Sequence, residues 1–135
     1  VGLGDEIRAA LGDLPGLSLE ELPGGVVVAG WRTADVEERV AMRESGELLE
    51  LITGVCLETE CELRRVLLGA AHLHGGCAAL IDGRIVLRYS LPRDRRDPAW
   101  LRRIATSLSA AARRFARFLA KDGSDEPAVF THYVG

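Results

Sequence analysis

The sequence predicts an α+β domain, an antiparallel β-sheet with helices packed on it in the order α-β-β-β-α-β-β-α. Three observations carry this. Short β-prone runs follow one another through turn signals in the first half. Asp82-Gly83 joins two further runs and is the strongest two-residue hairpin signal in the chain. A long apolar stripe at 3/4 spacing then makes the last element a helix. Strands linked by short turns pair antiparallel, whereas a parallel sheet needs a long crossover between partners.

In residues 5–14, Ile7, Ala10, Leu11 and Leu14 recur at helical spacing, with Asp5 as the expected N-cap and Pro15-Gly16 as the stop. Residues 17–22 read as a short extended stretch before the Pro23-Gly24-Gly25 turn. Residues 26–31 are continuously apolar and β-prone. In the next run Val36, Glu38, Val40 and Met42 share one strand face, and Glu37, Arg39 and Arg43 the other. Ser45-Gly46 is a turn, and residues 48–57 are again β-prone, so a three-stranded meander is expected.

The period then changes. Thr59 and Glu62 have capping-box spacing, followed by Leu63, Val66, Leu67, Ala70, Ala71 and His74 at helical spacing, with Gly75-Gly76 as the stop. Residues 77–81 and 84–91 are the hairpin arms; Ile85, Leu87, Tyr89 and Leu91 line one face of the second. Asp97 and Pro98 open the last helix, whose stripe is Leu101, Ile104, Leu108, Ala111, Phe115 and Phe118. Residues 1–121 are read as one domain and residues 122–135 as a mobile tail.

With 135 residues the chain suffices for one core without disulfides or metals. Its net charge of −3 hides an asymmetry: residues 1–60 carry 4 basic and 13 acidic side chains, and residues 61–135 carry 13 basic and 7 acidic. A dipolar chain of this kind neutralises itself within the fold or across a dimer. The basic half has little aromatic interleaving, so no nucleic-acid partner is expected. No apolar run is long enough to span a bilayer, so no membrane partner is expected either. Three cysteines, an odd number with no visible leader, suggest reduced thiols in a cytoplasmic protein.

Cys56, Cys61, His72, His74 and Cys77 have the softness for zinc, but their spacing lacks a C-x2-C pair, and a helix separates Cys61 from the histidines. They are read as buried thiols and helix-end histidines, so no metal or cofactor is expected. A Cys-His nucleophile would need contact and a third, orienting group that nothing in the order supplies. Glu37-Glu38 and Glu58, Glu60 and Glu62 occupy strand edges and a first helical turn, where acidic residues have structural reasons. Neither Gly24-Gly25 nor Gly75-Gly76 carries a phosphate-loop fingerprint. No catalytic residue is therefore assigned.

Apolar surface remains. Residues 26–31, and Leu48, Leu49, Leu51, Ile52 and Val55, are apolar on both strand faces. Either these strands are buried centrally, or one face or edge receives a partner by strand addition.

Leu67-Leu68-Gly69-Ala70-Ala71-His72-Leu73, then Gly75-Gly76-Cys77-Ala78-Ala79-Leu80, then Arg84-Ile85-Val86-Leu87-Arg88-Tyr89-Ser90-Leu91-Pro92, followed by a long final helix, resemble the type III secretion chaperone (Tir-chaperone-like) family. His72 departs from the Asn common at its position. The resemblance implies a homodimer that holds a client, the secretion segment of an effector, in extended form without chemistry. It points to Leu63, Leu67, Ala70, Ala71 and Leu80 as dimer contacts. It points to Leu11, Val26, Val28, Trp31, Leu49 and Leu51 as the client-binding patch. The YbjN-like family shares the element order and implies a regulatory or stress-related interaction domain, but its aromatic and Asn-rich positions before the hairpin are poorly matched here.

Overall fold

The computed structural model describes residues 2–71, 73, 76–92, 94 and 97–120. Along the chain run α1 (Leu3–Leu11), β1 (Ser18–Leu22), β2 (Val26–Thr33), β3 (Val36–Ser45), β4 (Leu48–Leu57), a 3-10 turn (Glu58–Glu60), α2 (Leu63–Ala70), β5 (Cys77–Ile81), β6 (Arg84–Pro92) and α3 (Pro98–Ala120). The strands form one antiparallel sheet in the order β1-β2-β3-β4-β6-β5.

The α+β class, the antiparallel sheet and the packed helices match the sequence reading, with one strand more than its element order held. The extended stretch at residues 17–22 is a full strand, β1, paired with β2 from Ser18↔Gly30 to Leu22↔Val26. Its exposed, charged composition concealed it, because an edge strand buries little. Two caps also differ. α1 begins at Leu3 with Gly2 as its N-cap, so Asp5 sits in the first turn, where its charge suits the helix dipole. Thr59 lies in the 3-10 turn and α2 is preceded by Glu62; the side chain that closes the turn is Glu60, whose Oε1 accepts from the Leu57 N–H at 2.9 Å. The Asp97 cap stands as read, with its Oδ1 accepting from the Trp100 N–H at 2.9 Å. Asp82 and Gly83, both at positive φ, form the β5–β6 turn.

All three helices lie on one face of the sheet. Strand alternation sends Val27, Ala29 and Trp31 of β2, Val40 and Met42 of β3, Leu49 and Leu51 of β4 and Ile85, Leu87 and Leu91 of β6 to that face. There they pack with Ile7, Ala10 and Leu11 of α1, Val66 of α2 and the α3 stripe Leu101, Ile104, Leu108, Ala111, Phe115 and Phe118. Ala105, Ala112 and Leu119 widen that stripe. α2 is held to α3 by Val66 and by Arg65, whose guanidinium stacks 4.3 Å from the centre of the Phe118 ring and donates to the Phe118 carbonyl. Lys121 and the 122–135 tail lie outside the described residues, as do His72 and His74.

Candidate functional site

Among the described residues, no helix covers the other face of the sheet. Val28, Ala41 and Ile52 sit side by side across β2, β3 and β4, and Gly54, Val86 and Ala79 continue the row across β4, β6 and β5. The row is partly shielded by charged neighbours. Glu50 accepts from Arg43 at 2.8 Å and lies 3.4 Å from Arg88, while Arg39 lies 3.5 Å from Glu20.

The sheet is also split. The β3–β4 ladder runs only from Ala41↔Ile52 to Ser45↔Leu48. Beyond it, residues 36–40 of β3 keep β2 as partner and residues 53–57 of β4 keep β6, but the two segments do not pair with each other. A register shift between Gly54 and Cys56 bends β4 away at this point. The Thr53 hydroxyl donates to the Arg39 carbonyl at 2.7 Å, a side chain standing in for the next rung. The Arg39 carbonyl thus faces the gap, and by alternation the main chain of Glu37 faces it too.

The gap opens a cleft of about 660 Å³ that reaches from the open face to α3. Val28, Ala41, Ile52 and Val86 line its apolar wall, and Ala112 and Ala116 its floor. Over Gly54 the space is open, since a Cβ built there meets nothing within 4 Å. A buried polar group lies at the floor. Glu38, only 3% exposed, accepts from the Ser109 hydroxyl and pairs with Arg113 Nε at 2.8 Å. Burying a carboxylate this deep without such partners would be costly. The sequence did mark it: Glu38 interrupts the apolar run of Val36, Val40 and Met42 on one face of β3. Its partners on α3 left no signal, because Arg113 lies off the apolar stripe like any solvated arginine.

The expected client-binding residues fall on both sides of the sheet. Val26 and Val28 are half-buried on the helix-free side. Leu11, Trp31, Leu49 and Leu51 are enclosed in the chain's own core, at most 3% exposed, and offer no surface to a partner. Their strand parity, and α1 docking on β2, put them under the helices. The expected dimer residues lie mostly outside. Leu63, Leu67 and Leu80 are 70%, 63% and 57% exposed, Ala71 is exposed and Ala70 half-buried, with Leu68 beside them at 51%. The two sheet edges differ accordingly. β1 presents Glu20 and Glu21, whereas β5, Cys-Ala-Ala-Leu-Ile, carries no charge and is bordered by the exposed leucines of α2. Charged edges resist strand addition and apolar uncharged edges invite it.

The thiols are not the three buried ones expected. Cys77 is exposed, and Cys56 and Cys61 are half-buried with their sulfurs 3.6 Å apart. Burial pushes the Cys56 thiol up to about 12, helped by its hydrogen bond to Cys61 and by the nearby Cys61 and Glu60 charges. No group of three or more metal-ligating side chains is found among the described residues. No helix among them is long and apolar enough to cross a membrane.

A chain from the structure of the HopA1-SchA chaperone-effector complex superposes with a TM-score of 0.62 over 84% of this chain and 89% of its own length, at 18% identity. The likeness is one of fold. No protein-family model matches the sequence, and no curated protein matches it.

Proposed function

We propose that this chain is a non-enzymatic, protein-binding chaperone that holds a client polypeptide, of the secreted-effector kind, in extended form. It works as a cytoplasmic homodimer. The observation that carries the reading is the split between β3 and β4. Main chain at Glu37 and Arg39 has no β4 backbone partner there, the Arg39 carbonyl being held by the Thr53 hydroxyl alone, and it lies beside an apolar row of side chains on the face that no described helix covers. Extended polypeptide is the ligand that uses both, with its backbone on the strand edges and side chains on the half-buried Val28 and Ile52. Val26 and Val28 remain in this client surface. Dimerisation is assigned to Leu63, Leu67, Ala70, Ala71 and Leu80, because α2 and β5 expose more apolar side chain than a monomer gains from leaving uncovered. The likeness to a chain of a chaperone–effector complex supports the same reading.

The test uses a permanently unfolded probe, reduced and carboxymethylated α-lactalbumin carrying a fluorophore. Anisotropy should report binding without ATP, no binding of the native probe, and a drop of at least about tenfold in affinity for Val28→Asp or Ile52→Asp, the scale expected when an anchor is lost. Equal binding by wild type and both variants would remove the open face from the proposal. Light scattering should give a dimer for the wild type and a monomer for Leu63→Glu/Leu67→Glu; a wild-type monomer across micromolar concentrations would end the dimeric version.

A further inference from the structure

Cys56 lies at the end of β4 on the rim of the cleft, and Cys61 lies two residues before α2 begins. Four residues separate them, and the 3-10 turn folds that segment back so that the two sulfurs stand 3.6 Å apart. The turn is held independently of the thiols, by Glu60 on the Leu57 N–H at 2.9 Å and by the Glu58 N–H on the Gly83 carbonyl at 2.9 Å. The Cys61 sulfur also lies 3.8 Å from the carbonyls of Leu57 and Glu58. A built turn thus presents two thiols to each other at van der Waals contact, with both partly reachable from solvent.

We propose that Cys56 and Cys61 form a reversible oxidative modification site, closing to an intrachain disulfide when the chain meets a low-molecular-weight disulfide. The step is a thiol–disulfide exchange in two stages. The Cys61 thiolate attacks one sulfur of the oxidant; the oxidant's S–S bond breaks, and its other half leaves as a thiolate that takes up a proton. The Cys56 thiol then gives up its proton to solvent and attacks the Cys61 sulfur. The protein disulfide forms, and the second half of the oxidant departs as a thiol. Two protein thiols are oxidised and one small-molecule disulfide is reduced to two thiols. Because Cys56 holds its proton to about pH 12, Cys61 is the point of entry and closure accelerates as pH rises. The closed pair ties the start of α2 to the end of β4 at the cleft rim, so the site joins the apolar α2 surface to the split in the sheet. This inference rests on the thiol geometry and not on the proposed client.

The experiment treats the reduced, full-length chain with oxidised glutathione and follows each cysteine by alkylation and mass spectrometry. Trypsin leaves Cys56 and Cys61 together in the fragment 44–64. The expected result is a loss of the mass of two hydrogen atoms from that fragment, with both thiols refractory to iodoacetamide until a reductant is added. After cleavage at Glu58 or Glu60 its halves should stay joined. Cys77→Ser should behave as wild type, and Cys56→Ser should stop at a glutathione adduct on Cys61. The proposal is overturned if Cys77 takes up glutathione while Cys56 and Cys61 stay fully alkylatable. It is equally overturned if wild type halts at the Cys61 adduct, or if the recovered bond joins Cys77 to another cysteine.

Discussion

Removing Arg113 should cost far more than removing the charge it faces. Glu38 is 3% exposed and its side chain has two partners, the Ser109 hydroxyl and Arg113 Nε; the Arg113 side chain is itself 38% exposed. In Arg113→Met the carboxylate stays buried with one neutral donor left. Breaking a fully buried pair from one side costs about 3–5 kcal/mol, and the partial exposure of this pair brings the expectation down to about 2 kcal/mol. In Glu38→Gln the amide oxygen still accepts from Ser109, and Arg113 turns toward water, so the loss should be at or below about 1 kcal/mol. The double variant should sit close to Glu38→Gln alone, giving a coupling of about 2 kcal/mol. Urea unfolding followed by far-UV circular dichroism reads these directly: about 2 kcal/mol moves the midpoint by roughly 1 M for a chain of this size. If Arg113→Met unfolds at the wild-type midpoint while Glu38→Gln loses more than about 2 kcal/mol, the carboxylate is not held by the guanidinium, and the cleft floor is built differently.

Other consequences follow from the sidedness of the sheet and from its caps and thiols. Leu51→Ala, in the closed core, should destabilise by about 3 kcal/mol, and the adjacent Ile52→Ala, on the open face, by less than about 1 kcal/mol in the same urea titration; equal losses would mean that both faces are covered. Asp97→Ala should remove about 1 kcal/mol by unpairing the Trp100 N–H at the start of α3, read as a lower urea midpoint. Cys56, raised from 9.0 to about 12, should react with iodoacetamide at pH 8 up to about a thousandfold more slowly in the folded chain than in urea. The gap should close as pH climbs from about 9 toward about 12. The sign for stability is the same, because the folded chain keeps this proton longer. Wild type should therefore lose stability relative to Cys56→Ser over that interval, checked by paired unfolding curves.

Much of this molecule is legible residue by residue. Asp82-Gly83 sets the hairpin, because few dipeptides accept positive φ at both positions. The stripe from Leu101 to Phe118 and the Asp97 cap define α3, because helical period and end chemistry are local properties. The alternation along β3 put Glu38 on the apolar face before any fold was known. What local pattern does not carry is which covering each face receives. Residues 26–31 and 48–52 are apolar on both sides, so only the docking of α1 and α3 decides that Trp31, Leu49 and Leu51 are core while Val28 and Ile52 look outward. β1 is faint in the sequence because an exposed edge strand needs no apolar signature. The order β4-β6-β5, the early end of the β3–β4 ladder, the Arg113 that answers Glu38, and the meeting of Cys56 with Cys61 are all relations between segments. Composition and period describe one segment at a time; long-range packing alone selects which of them touch, and for this chain that choice creates both the open sheet face and the cleft.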